Sequence, residues 1–309
     1  MEQFDVVIIG GGMAGMSAAI WCSRLNINHL LLESRHSLGG QLEQIHNKLI
    51  DYPGINTNNG KEFQELLVEH VNSLQCNIRC NSLIEKIDTT KKHLHLKEKV
   101  EEKEIRYNYL IIATGAKART LEIPGEKEML ERGEVYSTTR DKDQFRNKKV
   151  AIVGGGDRAF EGALILANAG AKVVLIHRSE SFRARSQYKT AVFGNPNIEI
   201  LTNSTVTKIL GTHQVEAIEV KQQDKERLIE VAAVIPRIGT IADTALLSGI
   251  VNLTKEGHVQ VDHYGQTSNP FIFAIGDVCS LPEYASLSSS AGQGMLATKR
   301  ISELIHADK

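Results

Sequence analysis

An α/β protein with two dinucleotide-binding units is predicted by three observations. A buried strand runs into a glycine turn and a helix near the N-terminus, the same pattern returns about 140 residues later, and 309 residues suffice for two domains. In the first copy the apolar run Val6-Val7-Ile8-Ile9 reads as a strand buried on both faces. It meets Gly10-Gly11-Gly12-Met13-Ala14-Gly15 and a helical segment that reaches Arg24. Gly10, Gly12 and Gly15 fit G-x-G-x-x-G: the first permits the turn, the second lets backbone approach a pyrophosphate, and the third lets helix pack on strand. Phosphates belong at the helix N-terminus, where unpaired N–H groups and the dipole favour negative charge. A second strand, His29 to Leu32, ends at Glu33, where an acid is placed to hold an adenosine ribose.

Between the two copies the pattern changes. Ser37 to Leu42 and Leu49 to Gly54 are turn-rich and read as irregular loops beside the nucleotide fold. Lys61 to Leu74 has helical apolar spacing. From Asn77 to Ile112 the residues alternate as in a strand meander, with the charge run Lys97 to Glu104 as a solvated hairpin tip. The meander ends in a buried strand that meets the turn Ala113-Thr114-Gly115.

The second copy begins at Val150-Ala151-Ile152-Val153 and continues through Gly154, Gly156, Asp157, Arg158 and Ala159, a G-x-G-x-x-A variant. Its second strand, Lys172 to Ile176, ends at His177-Arg178 where the first copy has an acid. A 2'-phosphate is repelled by a carboxylate and paired by a guanidinium, so this unit is expected to take NADPH, with NADH the alternative. Arg183 and Arg185 lie close enough in sequence to join that pocket, unless they stand on a solvated loop. Alternation returns from Ile198 to Pro236, a last buried strand runs into Gly276-Asp277, and Ser289 to His306 has helical spacing.

Composition narrows the function. Lys plus Arg number 36 against 37 for Asp plus Glu, and a net charge of -1 gives no general attraction to nucleic acid or an anionic membrane. With neither a leader-like N-terminal segment nor a run of eighteen apolar residues, the expectation is a cytoplasmic protein. Cys22, Cys76, Cys80 and Cys279 lack metal-ligand spacing, and no metal is expected.

Taken in order, GGGMAG, Glu33, GGQL, DYPG, ATGA, GGGDRA, HR with FRAR, and FAIGDV resemble the low-molecular-weight thioredoxin reductase family over nearly the whole chain. The resemblance implies two Rossmann-like, three-layer ββα domains, with an NAD(P)H domain (118–238) inserted into a FAD domain made of 1–117 and 239–309. It also implies a homodimer and a twist of one domain on the other. By position, Gly10, Gly12, Met13, Ala14, Gly15, Glu33 and Ser34 would bind the ADP part of FAD. Gly40, Gln41, Leu42, Asp51, Ala113, Thr114, Gly115, Gly276 and Asp277 would surround the rest of it, with Gln41 and Asp277 toward the isoalloxazine and ribityl groups. Gly154, Gly156, Asp157, Arg158, Ala159, His177, Arg178 and Arg183 would hold NADPH. Asp51 stands where the family commonly has Asn, Ser179 where it has a second arginine, and Ala285-Ser286-Leu287 where it has Arg-Gln-Ala.

One departure decides the chemistry. Thioredoxin-reducing members carry C-x-x-C just before the second nucleotide unit, and here that place reads Ser137-Thr138-Thr139-Arg140. A dithiol relay needs one thiolate to attack and a second to resolve the mixed disulfide, which serine and arginine cannot do. Cys76 and Cys80 cannot replace it from a strand, where their Cα atoms would be about 13 Å apart, against a ceiling of about 7 Å for a bridge. The expected activity is therefore a flavin-dependent NAD(P)H oxidoreductase that passes electrons directly to an external acceptor. Ferredoxin:NADP reductases of the family also lack the cysteine pair. Five cations between Arg140 and Lys149 against Asp141 and Asp143 suit an acidic ferredoxin or flavodoxin, unless they form only a solvated surface. Those reductases resemble one another in an extra C-terminal segment over the flavin, whereas this sequence stops at Lys309, so a quinone, small oxidant or oxygen is the other expected acceptor. A flavin-binding redox sensor or partner subunit without turnover is the alternative, and a thioredoxin-disulfide reductase the third reading.

Overall fold

The computed structural model describes residues 1–98, 101–223 and 225–307. The chain divides into two compact units, Met1–Lys117 with Ile241–Lys309, and Ala118–Thr240. The first unit opens with β1 (Glu2–Ile9), α1 (Met13–Arg24) and β2 (His29–Leu32), followed by α2 (Gly60–Ser73), β3 (Ile78–Arg79), β4 (Ser82–Asp88), β5 (His93–Glu98) and β6 (Glu101–Ile112). These strands lie in the order β3-β2-β1-β6-β5-β4. The pairings β2 with β3, β1 with β2 and β1 with β6 are parallel, whereas β5 runs antiparallel to β6 and to β4.

The period of two along β1 explains why both faces must be covered. Val6 and Ile8 enter one apolar cluster with Met16, Ala18 and Phe63 of the helices, while Phe4, Val7 and Ile9 enter another with Ile84, Leu94 and Leu96 of the meander. The irregular reading of Ser37 to Leu42 needs correction in its second half, because Gly40–Gln44 forms a 3₁₀ helix. Its support is remote in sequence: Gln64 Nε2 donates to the Leu38 carbonyl oxygen at 2.5 Å, and the Gly60 N–H to that of Ile45 at 2.8 Å. The charge run expected as a hairpin tip has its flanks in β5 and β6, with Lys99 and Val100 outside the described residues. Lys309 lies outside them as well.

The short strands β7 (Ala116–Ala118) and, later, β15 (Thr240–Ala242) carry the chain out of the first unit and back. The second unit contains α3 (Glu126–Glu131), β8 (Lys149–Val153), α4 (Asp157–Asn168), β9 (Lys172–Ile176), α5 (Ser186–Phe193), β10 (Ile198–Leu201), β11 (Ser204–Leu210), β12 (Ala217–Gln222), β13 (Lys225–Glu230) and β14 (Ala233–Pro236). Its parallel sheet has the order β10-β9-β8-β14, beside an antiparallel ribbon β11-β12-β13. The division of faces repeats: Val150 and Ile152 pack with Phe160 and Leu166 of α4, and Ala151 and Val153 with Val206, Ile218 and Val220 of the ribbon.

Back in the first unit, β16 (Ile272–Ala274) pairs parallel with Leu110–Ile112, the half of β6 that β5 leaves unpaired. The closing helix α6 (Leu287–Ala307) buries Ala297 and Ile301 in the same cluster as α1. The fold is the α/β class expected, with helices on one face of each parallel sheet and a β-layer on the other. Among the described residues no helix is long and apolar enough to cross a membrane.

Candidate functional site

In open parallel sheets, ligands lie beyond the carboxyl ends of the strands, and the first unit brings most of its sequence-predicted residues to that edge. β1, β2, β6 and β16 end at Ile9, Leu32, Ile112 and Ala274, so Gly10–Gly12, Glu33, Ala113–Gly115 and Gly276–Asp277 follow from neighbouring strands. Gly10 has φ +111°, and a Cβ there would run into the Ala113 carbonyl oxygen; a Cβ on Gly15 would strike that of Gly10. At Gly12, by contrast, a Cβ would meet nothing within 4 Å. That open space adjoins the start of α1, where Gly12 is the N-cap, no side chain caps the helix, and the first turn has no acid.

Glu33 is 6% exposed and accepts from the Gly11 N–H at 2.7 Å and the Arg35 N–H at 2.8 Å. Ser34 donates its hydroxyl to the same carboxylate at 3.2 Å. Gln41 Nε2 donates to Asp277 Oδ2 at 2.8 Å, joining the 3₁₀ helix to the turn after β16. Gly40, at φ +56°, places its Cα side against Gly12. Thr114 donates to the Asp243 carbonyl oxygen at 2.7 Å, so its hydroxyl holds the returning chain. Met13, Ala14 and Leu42 are buried in the helical-side core. Asp51 is exposed, and Ser288 donates to its carbonyl oxygen at 3.4 Å.

The second unit repeats the turn with different chemistry. A Cβ on Gly154 would collide with the Arg237 carbonyl oxygen, and one on Gly156 would meet nothing within 4 Å. Gly156 caps α4 without a side-chain bond, and Ala159 is fully buried beneath the turn. The imidazole of His177 lies over Gly155 and stacks on Phe182 with centroids 5.0 Å apart. Burial lowers the His177 pKa below its ordinary value, opposed by the Ser181 carbonyl and reinforced by Arg178 and Arg183. Ser179, which replaces a family arginine, is engaged with His177 Nε2 at 2.9 Å. Arg158, Arg178 and Arg183 are exposed and make no ion pair among the described residues. Arg185, which the sequence allowed into this pocket, instead donates Nε to Asp157 Oδ2 at 2.6 Å, while its N–H donates to Oδ1 at 2.8 Å.

Where a redox pair would stand, an aspartate closes a turn. The Ser137 N–H donates to Asp141 Oδ2 at 2.7 Å, and the Arg140 guanidinium meets both carboxylate oxygens at 2.8 Å. Thr138 is buried. All four cysteines are free and belong to the first unit. Cys76 and Cys80 flank the two-residue strand β3, not a longer one, and burial raises the pKa of both. Burial holds the Cys279 thiol at about 12, a resting thiol and not a nucleophile.

Sequence reasoning missed two residues. Gln293 on α6 accepts the Gly276 N–H at 2.6 Å and so fixes the turn that carries Asp277. Arg237 follows β14 beside Gly154, and its only sequence signal is the internal repeat. FAD and NAD(P)H fit this arrangement, since each unit offers an uncapped helix start, an open glycine for pyrophosphate, and a side chain of the appropriate charge at the next strand.

Comparison with known proteins agrees with this reading. The profile of the pyridine nucleotide-disulphide oxidoreductases matches residues 4–299. The "34.2 kDa protein in rubredoxin operon" of Clostridium pasteurianum is 32% identical over 284 residues, 90% of each chain. The thioredoxin reductase of Spironucleus barkhanus is 32% identical over 94% of this chain and 95% of its own. The NADH dehydrogenase of Bacillus subtilis is 29% identical over 96% of this chain, which spans only 57% of that protein. Among solved structures, Lactococcus lactis thioredoxin reductase gives a TM-score of 0.84 at 29% identity, covering 98% of this chain and 99% of its own. The bacillithiol disulfide reductase of Bacillus cereus, at 18% identity, 98% and 100% coverage and a TM-score of 0.83, shares the fold. Thioredoxin reductase-like members use FAD and NAD(P)H. With nearly its whole length matched, this chain is a member of the pyridine nucleotide-disulphide oxidoreductase family, of thioredoxin reductase-like type and without the redox cysteine pair.

Proposed function

We propose that the chain is a FAD-dependent NAD(P)H oxidoreductase that delivers electrons directly to an external acceptor, with no disulfide in the path. The observation that carries this is the segment Ser137–Arg140: it holds an Asp141-closed turn in place of two sulfurs, and the second unit contains no cysteine at all. FAD, when bound, supplies the electron chemistry between nicotinamide and acceptor. The first unit would hold it, with the start of α1 on its pyrophosphate, Glu33 on its adenosine ribose, and the bonded Gln41–Asp277 pair toward its flavin end. The second unit would hold NADPH in preference to NADH, through the start of α4 and the arginines Arg178 and Arg183.

A protein acceptor is favoured over a small oxidant by two observations. The stretch from Arg140 to Lys149 has a local excess of three positive charges, and Lys142, Lys148 and Lys149 make no ion pair among the described residues. A relative named for the rubredoxin operon points toward a small electron-carrier protein. An acidic ferredoxin, flavodoxin or rubredoxin would be steered by such a surface, mainly through its on-rate and best at low salt. As in the family, the working form is taken to be a homodimer.

The test is an anaerobic mixing experiment with the flavin-loaded protein, followed by parallel assays with ferredoxin, flavodoxin, rubredoxin, a soluble quinone and a thioredoxin-coupled disulfide. Rapid bleaching of the flavin band by NADPH, then turnover with one or more non-disulfide acceptors, is the expected result. A flavin band that persists for minutes with both NADPH and NADH would replace this proposal with a binding or sensing role. Turnover confined to the thioredoxin-coupled disulfide would overturn the direct route.

A further inference from the structure

Arg237 is a half-buried cation that makes no ion pair among the described residues. It follows directly on β14, whose last pair is Pro236 with Val153, and its N–H donates to the Val153 carbonyl oxygen at 2.7 Å. Its guanidinium finds two peptide carbonyl oxygens, those of Pro236 at 3.2 Å and Tyr136 at 3.5 Å, and no carboxylate ion pair among the described residues. Its pKa is lowered by burial and further by the like charge of Arg158. Holding an unpaired guanidinium out of water is costly unless an anion completes its shell.

The fold itself does not require an arginine there. In the first unit the same contact, carbonyl oxygen against the first glycine of the turn, comes from Ala113. Thus Ala113-Thr114-Gly115 corresponds to Arg237-Ile238-Gly239, and the turn uses only backbone at this position. The side chain that the second unit adds is therefore available for a ligand. Topology says which part of it. β9 and β14 flank β8 on opposite sides, so Arg178 and Arg183 stand on one side of the glycine turn and Arg237 on the other. A dinucleotide whose 2'-phosphate meets the first two arginines crosses the turn with its pyrophosphate and continues toward β14.

We infer that Arg237 is a binding residue for the pyrophosphate of NAD(P)H, reached from the nicotinamide side, and that it grips NADPH and NADH alike. The inference rests on the second unit being the NAD(P)H site. The cations then serve different parts of the ligand, with Arg178 and Arg183 reading the adenosine end and Arg237 holding what every nicotinamide dinucleotide shares.

Calorimetric titration of the flavin-loaded protein with NADPH, NADH and 2',5'-ADP tests this division in wild type, Arg237→Met and Arg237→Lys. Arg237→Met should weaken NADPH and NADH by similar factors on the order of tenfold, leave 2',5'-ADP unchanged, and be partly rescued by Arg237→Lys. Without nucleotide its melting temperature should equal or exceed that of wild type, because an unpaired charge has gone. Unchanged dinucleotide affinity, a loss confined to NADPH, an equal loss for 2',5'-ADP, or a lowered melting temperature without nucleotide would overturn the assignment. If wild type bound none of the three, the site reading would fail and this inference with it, whereas wild-type binding that Arg237→Met leaves intact would remove the inference alone.

Discussion

The two glycine turns share one backbone and differ in what stands beside it. In the first unit Glu33 accepts the N–H of the middle glycine, and the position after β6 is alanine; in the second the imidazole of His177 covers the middle glycine, and the position after β14 is arginine. The first turn thus meets an acid and the second a set of cations, with Arg158, Arg178, Arg183 and Arg237 around it. Under the proposed function, the shared backbone is what would let both turns accept a pyrophosphate. The differing side chains would then suit one turn to an adenosine with free ribose hydroxyls and the other to an adenosine that carries an extra phosphate.

The largest effects should come from filling the shared backbone. Gly10→Ala adds a Cβ at φ +111° that runs into the Ala113 carbonyl oxygen, and should cost about 2–4 kcal/mol. Urea melts should show that loss together with weak flavin retention. Gly154→Ala makes the equivalent clash with Arg237, yet should keep its flavin and lose nucleotide binding. If both variants lost flavin to the same degree, the assignment of one ligand to each turn would be wrong.

Changing the side chains should separate the units more finely. Glu33→Gln removes the charge from a buried carboxylate that accepts two backbone N–H bonds, an effect of about 1.5–3 kcal/mol. The ratio of flavin to protein absorbance after gel filtration should fall, while the preference between NADPH and NADH stays fixed. Arg178→Ala should do the reverse, reducing the NADPH preference on the order of tenfold with flavin content intact. A change in nucleotide preference with Glu33→Gln would mean that the acid and the arginine do not serve separate sites.

Much of this was legible in the sequence because its signals are local. A glycine at the end of an apolar strand, and the charge at the end of the next one, are read within about thirty residues and without tertiary information. The regular elements were also legible wherever an apolar period ran for several residues, as in β1, α4 and the two meanders. Contacts between distant segments were not. The 3₁₀ helix at Gly40–Gln44 depends on Gln64 and Gly60, and the pairing of Asp157 with Arg185 spans 28 residues. Arg237 could have been found only by overlaying the two units, since an arginine after a strand carries no signal alone.

Acid should weaken the protein through both units with one sign. His29 is 6% exposed, its Nδ1 lies 2.9 Å from the Ile27 carbonyl oxygen, and its buried Nε2 has no partner among the described residues. Burial lowers its pKa below 6.5, outweighing the Ile27 bond, and His177 shifts the same way. The unfolded chain therefore binds protons that the folded chain refuses, so stability should fall as pH drops from about 6.5 toward the lowered folded values. In chemical denaturation at a series of pH values, His29→Leu should flatten that slope in part and leave the contribution of His177. A slope that rose toward acid would contradict the burial of both rings.

The smallest effect tests the most specific correction to the sequence reading. Arg185 and Asp157 form an ion pair with 63% and 38% of their side chains exposed, and exposed pairs contribute about 0–1 kcal/mol. Arg185→Ala should therefore change the melting temperature little, and the affinity for NADPH relative to NADH not at all, because its guanidinium already faces the first turn of α4. Arg183, only two residues earlier and without an ion pair among the described residues, should reduce that preference when changed to alanine. Comparing the two variants asks whether nearness in sequence or engagement by a carboxylate decides which arginine reads the nucleotide. A loss of NADPH preference in Arg185→Ala equal to that in Arg183→Ala would show that Asp157 releases its partner when the ligand arrives.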